Sequence, residues 1–225
     1  QLYVLWDFFI PAFTCPFPMY HVGTLADGGK WVCGLECIIY NCPSPTVYSL
    51  GYQSPSYSSF EQDMLGQSTG CQVYGMFSRF WPWGDNKTDI DQNLASRVHF
   101  KYTIVDLTAE RYRSLQSVMG ELGHDFVNIL KVIDLEGTEF TTLVSIITDS
   151  QENPLPFGQL LLEVHIRWSD DMTTVDHFGK WFARLECAGL RPYYFEVSMM
   201  DVNMLHSEPA VVYVSRRISI FVEGC

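Results

Sequence analysis

The sequence predicts a doubly wound α/β fold, in which a mostly parallel sheet is covered by helices on both faces. Short runs rich in β-branched and aromatic residues alternate about five times with helical patterns, as in successive β-α-β units. The run 126–134 is almost wholly apolar, as expected of a parallel strand that is buried on both faces. Connections between such strands are right-handed crossovers, so the chain order also fixes the hand of the fold.

The chain divides into an N-terminal extension, 1–45, packed on a main domain, 46–225. The extension is rich in aromatic residues, Cys and Pro and shows little periodicity. The link between the last two predicted strands is short, so we expect them to be antiparallel. The predicted strands are 46–51, 71–77, 97–105, 126–134, 158–168, 193–200 and 211–222, and the predicted helices are 58–67, 109–123, 139–149 and 176–189.

Two predicted helix ends carry recognisable signals. Ser58 and Glu61 have the spacing of a capping box, in which each side chain bonds the other residue's backbone N–H. Gly123 follows the second helical pattern and is expected just past its last turn.

Composition excludes several classes of function. Hydrophobic residues make up 47% of the 225 residues, enough for a large core and too many for a disordered chain. The formal net charge of −12 argues against a nucleic-acid partner, because phosphate binding depends on basic patches. No membrane span or signal peptide is recognisable. With no obvious apolar helix face on an acidic surface, a monomer that binds a small molecule is the expectation.

Cysteine usage points to the secretory pathway without deciding the state of the thiols. No Cys-x-x-Cys pair exists, which disfavours structural zinc, and disulfides or buried free thiols both remain open. The odd count leaves at least one thiol unpaired, with Cys225 the natural candidate. Asn86 begins an N-x-Thr sequon in a polar stretch, where glycosylation in a secretory compartment would place it. The seven cysteines are at positions 15, 33, 37, 42, 71, 187 and 225.

Titratable residues follow the fourth and fifth predicted strands, at the edge where doubly wound sheets bind ligands. Asp134 and Glu136 are candidates for orienting a substrate or acting as general base; alternatively, Glu136 and Glu139 stabilise a helix N-terminus. Glu163 and His165 share one face of a strand and could form an acid/base couple or a hydrogen-bonded core pair. A metal would need a third ligand such as Asp134, and we predict none.

The segments "DGGKWVCGL", "GH-F-ILK…D-EGTEF" and "GQLLLEVH", with several others, resemble in chain order a group of fungal methyltransferase-like proteins that carry a class I S-adenosylmethionine (SAM)-dependent methyltransferase domain. The resemblance covers about residues 6–222, and its most specific pieces are "DGGKWVCGL" and "GQLLLEVH". It implies a Rossmann-like sheet of seven strands whose last hairpin is antiparallel, with SAM as cofactor. Other matching segments are "DFFIPAFTCP", "VYSLG", "SSFEQDML", "CQVYG", "LPFGQLLLEVH" and "AGLRPYYFE".

The sequence departs from the family at the cofactor site. The family has Gly-Tyr-Asp-Phe-Ser after its second strand, and its acid would hold the ribose of SAM. Here Phe77 stands in place of the acid. Loss of one such contact weakens binding by roughly 10- to 150-fold. The turn after Gly51 is longer than the family's and has no G-x-G-x-x-G pattern, so the sequence predicts a degenerate SAM site.

The N-terminal segment "DGGKW" supplies further candidates for the cofactor site. A flexible turn there could close over a ligand, and its indole could face a sulfonium through cation–π attraction. The alternative is a tight turn with an acid at the bend and glycines beyond it. The candidate residues are Asp27, Gly28, Gly29, Lys30 and Trp31.

The leading interpretation is therefore a class I methyltransferase-like enzyme acting on an unknown small-molecule acceptor. SAM would lie over Gly51 and Phe77, and Asp134 or His165 would take the acceptor's proton. A repurposed SAM-independent cyclase, isomerase or lyase is the first alternative, and a non-catalytic secreted binding protein is the second. Fold alone does not choose among them. No Gly-x-Ser-x-Gly, P-loop or His-Glu-x-x-His motif is present, which leaves hydrolase, kinase and zincin interpretations without support.

Overall fold

The structure is a computed structural model. It describes residues 11, 13–25, 28–51, 58–77, 91, 93–102, 113–133, 135, 137–150, 153–165, 174–197 and 215–222.

The N-terminal part forms an antiparallel hairpin of β1 (Met19–Val22) and β2 (Lys30–Cys33), followed by α1 (Leu35–Asn41). The main sheet then alternates with helices, and a 3-10 helix, Ala95–Arg97, precedes its third strand. The strands are β3 (Thr46–Gly51), β4 (Gln72–Phe77), β5 (Val98–Tyr102), β6 (Val127–Ile133), β7 (Phe157–His165), β8 (Leu190–Val197) and β9 (Ser215–Val222). The helices are α2 (Ser59–Gln67), α3 (Leu115–Leu122), α4 (Glu139–Ser150) and α5 (Val175–Cys187).

In the described part of the chain, seven strands form one sheet in the order β5-β4-β3-β6-β7-β9-β8. β3 to β7 are parallel, and β9 runs antiparallel between β7 and β8. The predicted doubly wound α/β fold with an antiparallel last hairpin is confirmed. The order reverses between β3 and β6, which defines the switch point of the sheet.

Each face of the sheet is covered by its own layer. Because side chains alternate along a strand, Leu130 and Val132 of β6 join the core beneath α3, α4 and α5, whereas Ile129 joins the core beneath α2 and the hairpin. All three side chains are fully buried. This double coverage explains why β6 is so apolar in sequence.

Side chains, rather than strand pairing, fasten the hairpin to the sheet. Gln159 of β7 bonds the backbone of Cys33 twice: its Oε1 accepts from the N–H at 3.0 Å, and its Nε2 donates to the carbonyl at 2.6 Å. The hydroxyl of Tyr193 donates to the Trp31 carbonyl at 3.0 Å. The end of β2 is thereby held in place over β7 and β8.

Both predicted states of the cysteines occur. Cys15 and Cys33 form a disulfide, which ties the segment before β1 to the end of β2. Cys225 and the sequon at Asn86 lie outside the described residues. The free thiols of the described part are Cys37, Cys42, Cys71 and Cys187.

One of the two predicted helix ends is confirmed. α3 ends at Gly123, which adopts the left-handed conformation with φ 72°. The capping box of α2 is wrong, since Ser58 precedes the helix but its side chain makes no capping hydrogen bond. Glu61 turns instead toward the sheet, where Ser49 and Lys131 bond it.

Gly51 ends β3 with φ 108°, and a Cβ there would overlap the carbonyl oxygen of Ile133. We expect Gly51→Ala to lower the free energy of unfolding by more than about 1 kcal/mol, because alanine is strained at positive φ and meets backbone. Urea denaturation measures the change.

Gly66, inside α2, is the matched control, because a Cβ there meets nothing within 4 Å. Gly66→Ala should stabilise the protein by roughly 0.5–1 kcal/mol. A Gly51→Ala protein as stable as wild type would show that the close contact between the backbones of Gly51 and Ile133 is not needed for stability.

Candidate functional site

The carboxyl ends of the parallel strands meet at one edge of the sheet, and its switch point lies between β3 and β6. Gly51 and Ile133, the last residues of these strands, are paired across that point. His165 ends β7, the next strand along. Doubly wound sheets bind ligands in the crevice outside such a switch point, so we place the candidate site here.

His165 and Glu139 form a hydrogen-bonded pair at this edge. Oε1 of Glu139, in the first turn of α4, lies 2.5 Å from Nδ1 of the His165 ring and accepts from the His165 backbone N–H at 2.8 Å. The Glu139 side chain is fully buried, whereas that of His165 is 15% exposed. Among the described residues, nothing hydrogen-bonds Oε2 of Glu139.

This arrangement gives His165 the geometry of an oriented base. A carboxylate at Glu139 would accept from Nδ1–H, because an ionised carboxylate only accepts hydrogen bonds, and Nε2 would then be the ring nitrogen able to take a proton. The same relation holds between aspartate and histidine in serine-hydrolase triads. From the sequence, Glu139 was interpreted only as an acid that stabilises the N-terminus of a helix.

Just below the switch point, three polar side chains meet on the face that α2 and the hairpin cover. Oε1 of Glu61 accepts from the Ser49 hydroxyl at 2.6 Å and from the Lys131 ammonium at 2.8 Å. Glu61 and Lys131 are fully buried, and Ser49 is 1% exposed. The Lys131 ammonium also lies 5.3 Å from the centre of the Phe60 ring, a favourable cation–π arrangement. We call Ser49, Glu61 and Lys131 the buried triad.

Lys30 joins the same region from the hairpin. Its side chain is buried, and its ammonium donates to the Gly29 carbonyl at 3.2 Å. The pKa of Lys30 is lowered to about 8, mainly by burial and in smaller part by the positive charge of Lys131. The carboxylates of Glu163, Glu61 and Glu196 act in the opposite direction on this pKa. The Glu163 carboxylate is therefore near enough to Lys30 to stabilise its charged form.

The hairpin turn rests on the start of α2. The Gly23 N–H donates to Oδ2 of Asp63 at 2.8 Å, and the Thr24 N–H donates to the Ser59 hydroxyl at 3.1 Å. A Cβ at Gly29 would overlap the Thr24 carbonyl, so the turn is tight at that point. These bonds hold the turn against α2.

The structure describes some of the remaining predicted site residues and leaves others outside its described ranges. Gly28 is buried in the turn, and Trp31 is partly buried with its ring 5.2 Å from that of Tyr194. Phe77 is the last residue of β4, but its side chain is outside the described part. The residues that lie wholly outside the described part are Asp27, Asp134 and Glu136.

Sequence reasoning missed the buried triad, although one signal was available. Lys131 is a charged residue inside the apolar strand β6, and a buried charge requires a partner. That partner, Glu61, is 70 residues away in sequence.

A family model described as a methyltransferase domain matches residues 3–209. The chain belongs to this methyltransferase-domain family. None of the curated proteins matches it. The fungal source suggested by the resemblance stays a prediction.

Solved structures agree with the fold of this methyltransferase-domain chain. The Methanococcus jannaschii fibrillarin pre-rRNA processing protein is 11% identical with a TM-score of 0.50, over 81% of this chain and 68% of that one. The structure of a fibrillarin/Nop5p complex is 11% identical with a TM-score of 0.51, over 80% of this chain and 73% of that one. At this identity the likeness shows the fold alone. Among the helices in the described ranges, none combines the length and apolar character needed to cross a bilayer.

Lys30 should make the stability of the methyltransferase domain depend on pH. Its pKa is about 8 when folded, against a reference value of 10.5, so between these values the unfolded chain binds the proton more tightly. The contribution of Lys30 to the free energy of unfolding therefore rises as the pH increases from about 8 to 10.5. We expect the stability of wild type relative to Lys30→Met to increase by about 3 kcal/mol from pH 8 to 10.5.

Lys180, exposed on α5 beside Asp176, provides the control substitution Lys180→Met. The difference between wild type and this control should stay flat over the same range when chemical denaturation is followed at several pH values. The same flat profile for Lys30→Met would contradict the assignment of a buried, weakly basic Lys30.

Proposed function

We propose that this protein is a SAM-dependent methyltransferase whose acceptor is a small molecule with an O–H or N–H group at the reacting atom. The observation that carries the proposal is the His165–Glu139 pair beside the switch point of a methyltransferase-domain fold. Such a pair is suited to removing a proton as the acceptor is methylated. A halide acceptor carries no proton and would not need this base.

The switch point fits a nucleotide cofactor. Gly51 ends β3 there with a positive φ, and the turn after the first parallel strand of such sheets is where nucleotide cofactors bind. We place SAM at this edge of the sheet, over Gly51. When bound there, SAM supplies an electrophilic methyl group.

The proposed mechanism assigns separate roles to the two residues of the pair. His165 would take the acceptor's O–H or N–H proton at Nε2, while the acceptor heteroatom would bond the methyl carbon and the methyl–sulfur bond of SAM would break, leaving S-adenosylhomocysteine. Glu139 stabilises the resulting imidazolium through Nδ1 and keeps the ring aimed at the acceptor. His165 is thus the catalytic residue and Glu139 the positioning residue. Asp134 and Glu136 directly follow β6, and we propose them as acceptor-orienting acids.

The hairpin turn is proposed to close the site from the side of α2, because Gly23 and Thr24 bond that helix. Buried Lys30 then supports the turn from below. The disulfide of Cys15 and Cys33 supports a site of action in an oxidising compartment, which we include in the proposal.

Phe77 favours a second candidate function on the same fold. It places a phenyl group, and no carboxylate, at the end of β4 in the sequence, where the ribose hydroxyls of a nucleotide would be bound. A SAM-independent enzyme that retains the pocket would not need that acid. A degenerate SAM site, with weakened rather than absent binding, is the version that we propose.

Calorimetric titration with SAM and S-adenosylhomocysteine separates the two candidates. We expect wild type to bind both weakly, and Phe77→Asp to bind SAM roughly 10- to 150-fold more tightly because it restores a carboxylate at the ribose. Phe77→Leu is the matched control and should bind like wild type. Absence of binding to wild type at millimolar ligand would reject the methyltransferase proposal in favour of the second candidate.

Removal of the base should affect the chemical step and leave cofactor binding intact. With labelled SAM and a panel of small phenols, alcohols and amines, His165→Gln should lower kcat by about 100- to 10,000-fold. Glu139→Gln should lower kcat less and shift the acidic limb of its pH profile, since the imidazolium loses its carboxylate. Unchanged kcat in His165→Gln would remove this residue from the mechanism.

A further inference from the structure

Leu135 is an apolar residue at the candidate site to which the proposed mechanism gives no role. It follows the end of β6 at Ile133, and its methyl carbon Cδ2 lies 3.3 Å from the position that a Cβ on Gly51 would take. The side chain packs against the core beneath α3, α4 and α5 but is only partly buried. Some of its apolar surface is therefore exposed at the edge of the sheet where ligands bind.

The turn between β6 and α4 connects the two parts of the candidate site. β6 lies between β3 and β7 in the sheet. On the β3 side of the turn, the Leu135 side chain approaches Gly51. On the β7 side, Oε1 of Glu139 bonds the ring of His165. Leu135 consequently lies between the place proposed for SAM, over Gly51, and the residue proposed as base.

Hydrogen bonds tie the Leu135 backbone to the start of α4. The Thr138 N–H and the Thr138 hydroxyl both donate to the Leu135 carbonyl, at 3.1 Å and 2.8 Å. The Thr138 carbonyl in turn accepts from the Thr142 N–H of α4 at 2.9 Å. The helix that positions Glu139 thus also positions Leu135, so both side chains have a fixed relation to the reacting atoms.

An apolar side chain at this place restricts the chemistry of the acceptor. A hydroxyl group held against Leu135 loses its water and gains no hydrogen bond from that side chain, which is costly. Sugars and polyols carry such a hydroxyl on nearly every carbon next to the reacting one. A phenol or an aromatic amine instead presents ring carbons and apolar substituents there, which can cover the exposed part of Leu135.

We propose that Leu135 is a specificity-determining residue, which selects acceptors with an apolar surface next to the reacting O–H or N–H group. Phenols and aromatic amines are the class that fits, in preference to sugars and polyols. This inference rests on the proposed function and deepens it, because the reaction by itself leaves the class of small molecule open. A hydrophobic contact of this kind discriminates between a methyl and a hydroxyl group by about 10- to 100-fold.

Two phenols of nearly equal size test the selection. In ortho-ethylphenol and ortho-(hydroxymethyl)phenol, a methyl group and a hydroxyl group exchange places beside the reacting oxygen. In calorimetry with protein saturated with S-adenosylhomocysteine, the Kd of wild type should be about 10- to 100-fold lower for the ethyl compound. Wild type that binds neither phenol, binds both equally or prefers the hydroxymethyl compound would overturn the inference.

Leu135→Asn keeps the size of the side chain but makes it polar, and it should reduce the preference to about threefold or less. Leu122→Asn is the matched control, because Leu122 is partly buried against the same core but ends α3, at the opposite end of the strands. Its preference should equal that of wild type.

Leu135→Ala keeps the test decisive if Leu135→Asn shows no cooperative thermal transition. The smaller side chain retains less apolar contact, so the preference for the ethyl compound should fall about threefold to tenfold. An unchanged preference in a folded Leu135→Asn or Leu135→Ala protein contradicts the selecting role.

Binding of the cofactor separates this inference from the proposed function. Wild type that binds neither SAM nor S-adenosylhomocysteine rejects both. Wild type that binds them, with a phenol preference that is absent or independent of Leu135, rejects the acceptor selection alone.

Discussion

The backbones of Gly51 and Ile133 meet where the strand order reverses, and the rest of the candidate site depends on that contact. The carbonyl oxygen of Ile133 occupies the space that a Cβ at position 51 would need, and Gly51 has a positive φ that other residues rarely adopt. The two central strands, β3 and β6, can therefore end side by side with their backbones in contact and no side chain between them. The helices that follow them, α2 and α4, each place a first-turn glutamate against the sheet.

Two fully buried glutamates use this geometry in the same way. Glu61 is in the first turn of the helix after β3 and bonds Lys131 on β6, whereas Glu139 is in the first turn of the helix after β6 and bonds His165 on β7. Each glutamate links the helix that follows one parallel strand to the next strand across the sheet. Acids in a first turn commonly stabilise the helix through its dipole, but here they also tie neighbouring β-α units together.

The fold could be predicted from the sequence more fully than the side-chain contacts could. Strand runs and the short final link were enough for a doubly wound sheet with an antiparallel end, because those signals are local. The insertion of β9 between β7 and β8 follows from pairing and has no local signal. The capping box failed for a related reason: Ser58 and Glu61 have the right spacing, but Lys131 offers Glu61 a stronger, charge-assisted bond.

The same limit applies to the candidate site. His165 was identified from its place at the end of an apolar strand, yet its carboxylate partner is 26 residues earlier in sequence and on a different element. The signal that remained unused was Lys131, because a charge in the middle of a doubly covered strand implies a buried partner. Residue type and strand position therefore indicated the edge of the sheet at which the candidate site lies. Only the packed structure identified which side chains hydrogen-bond each other there.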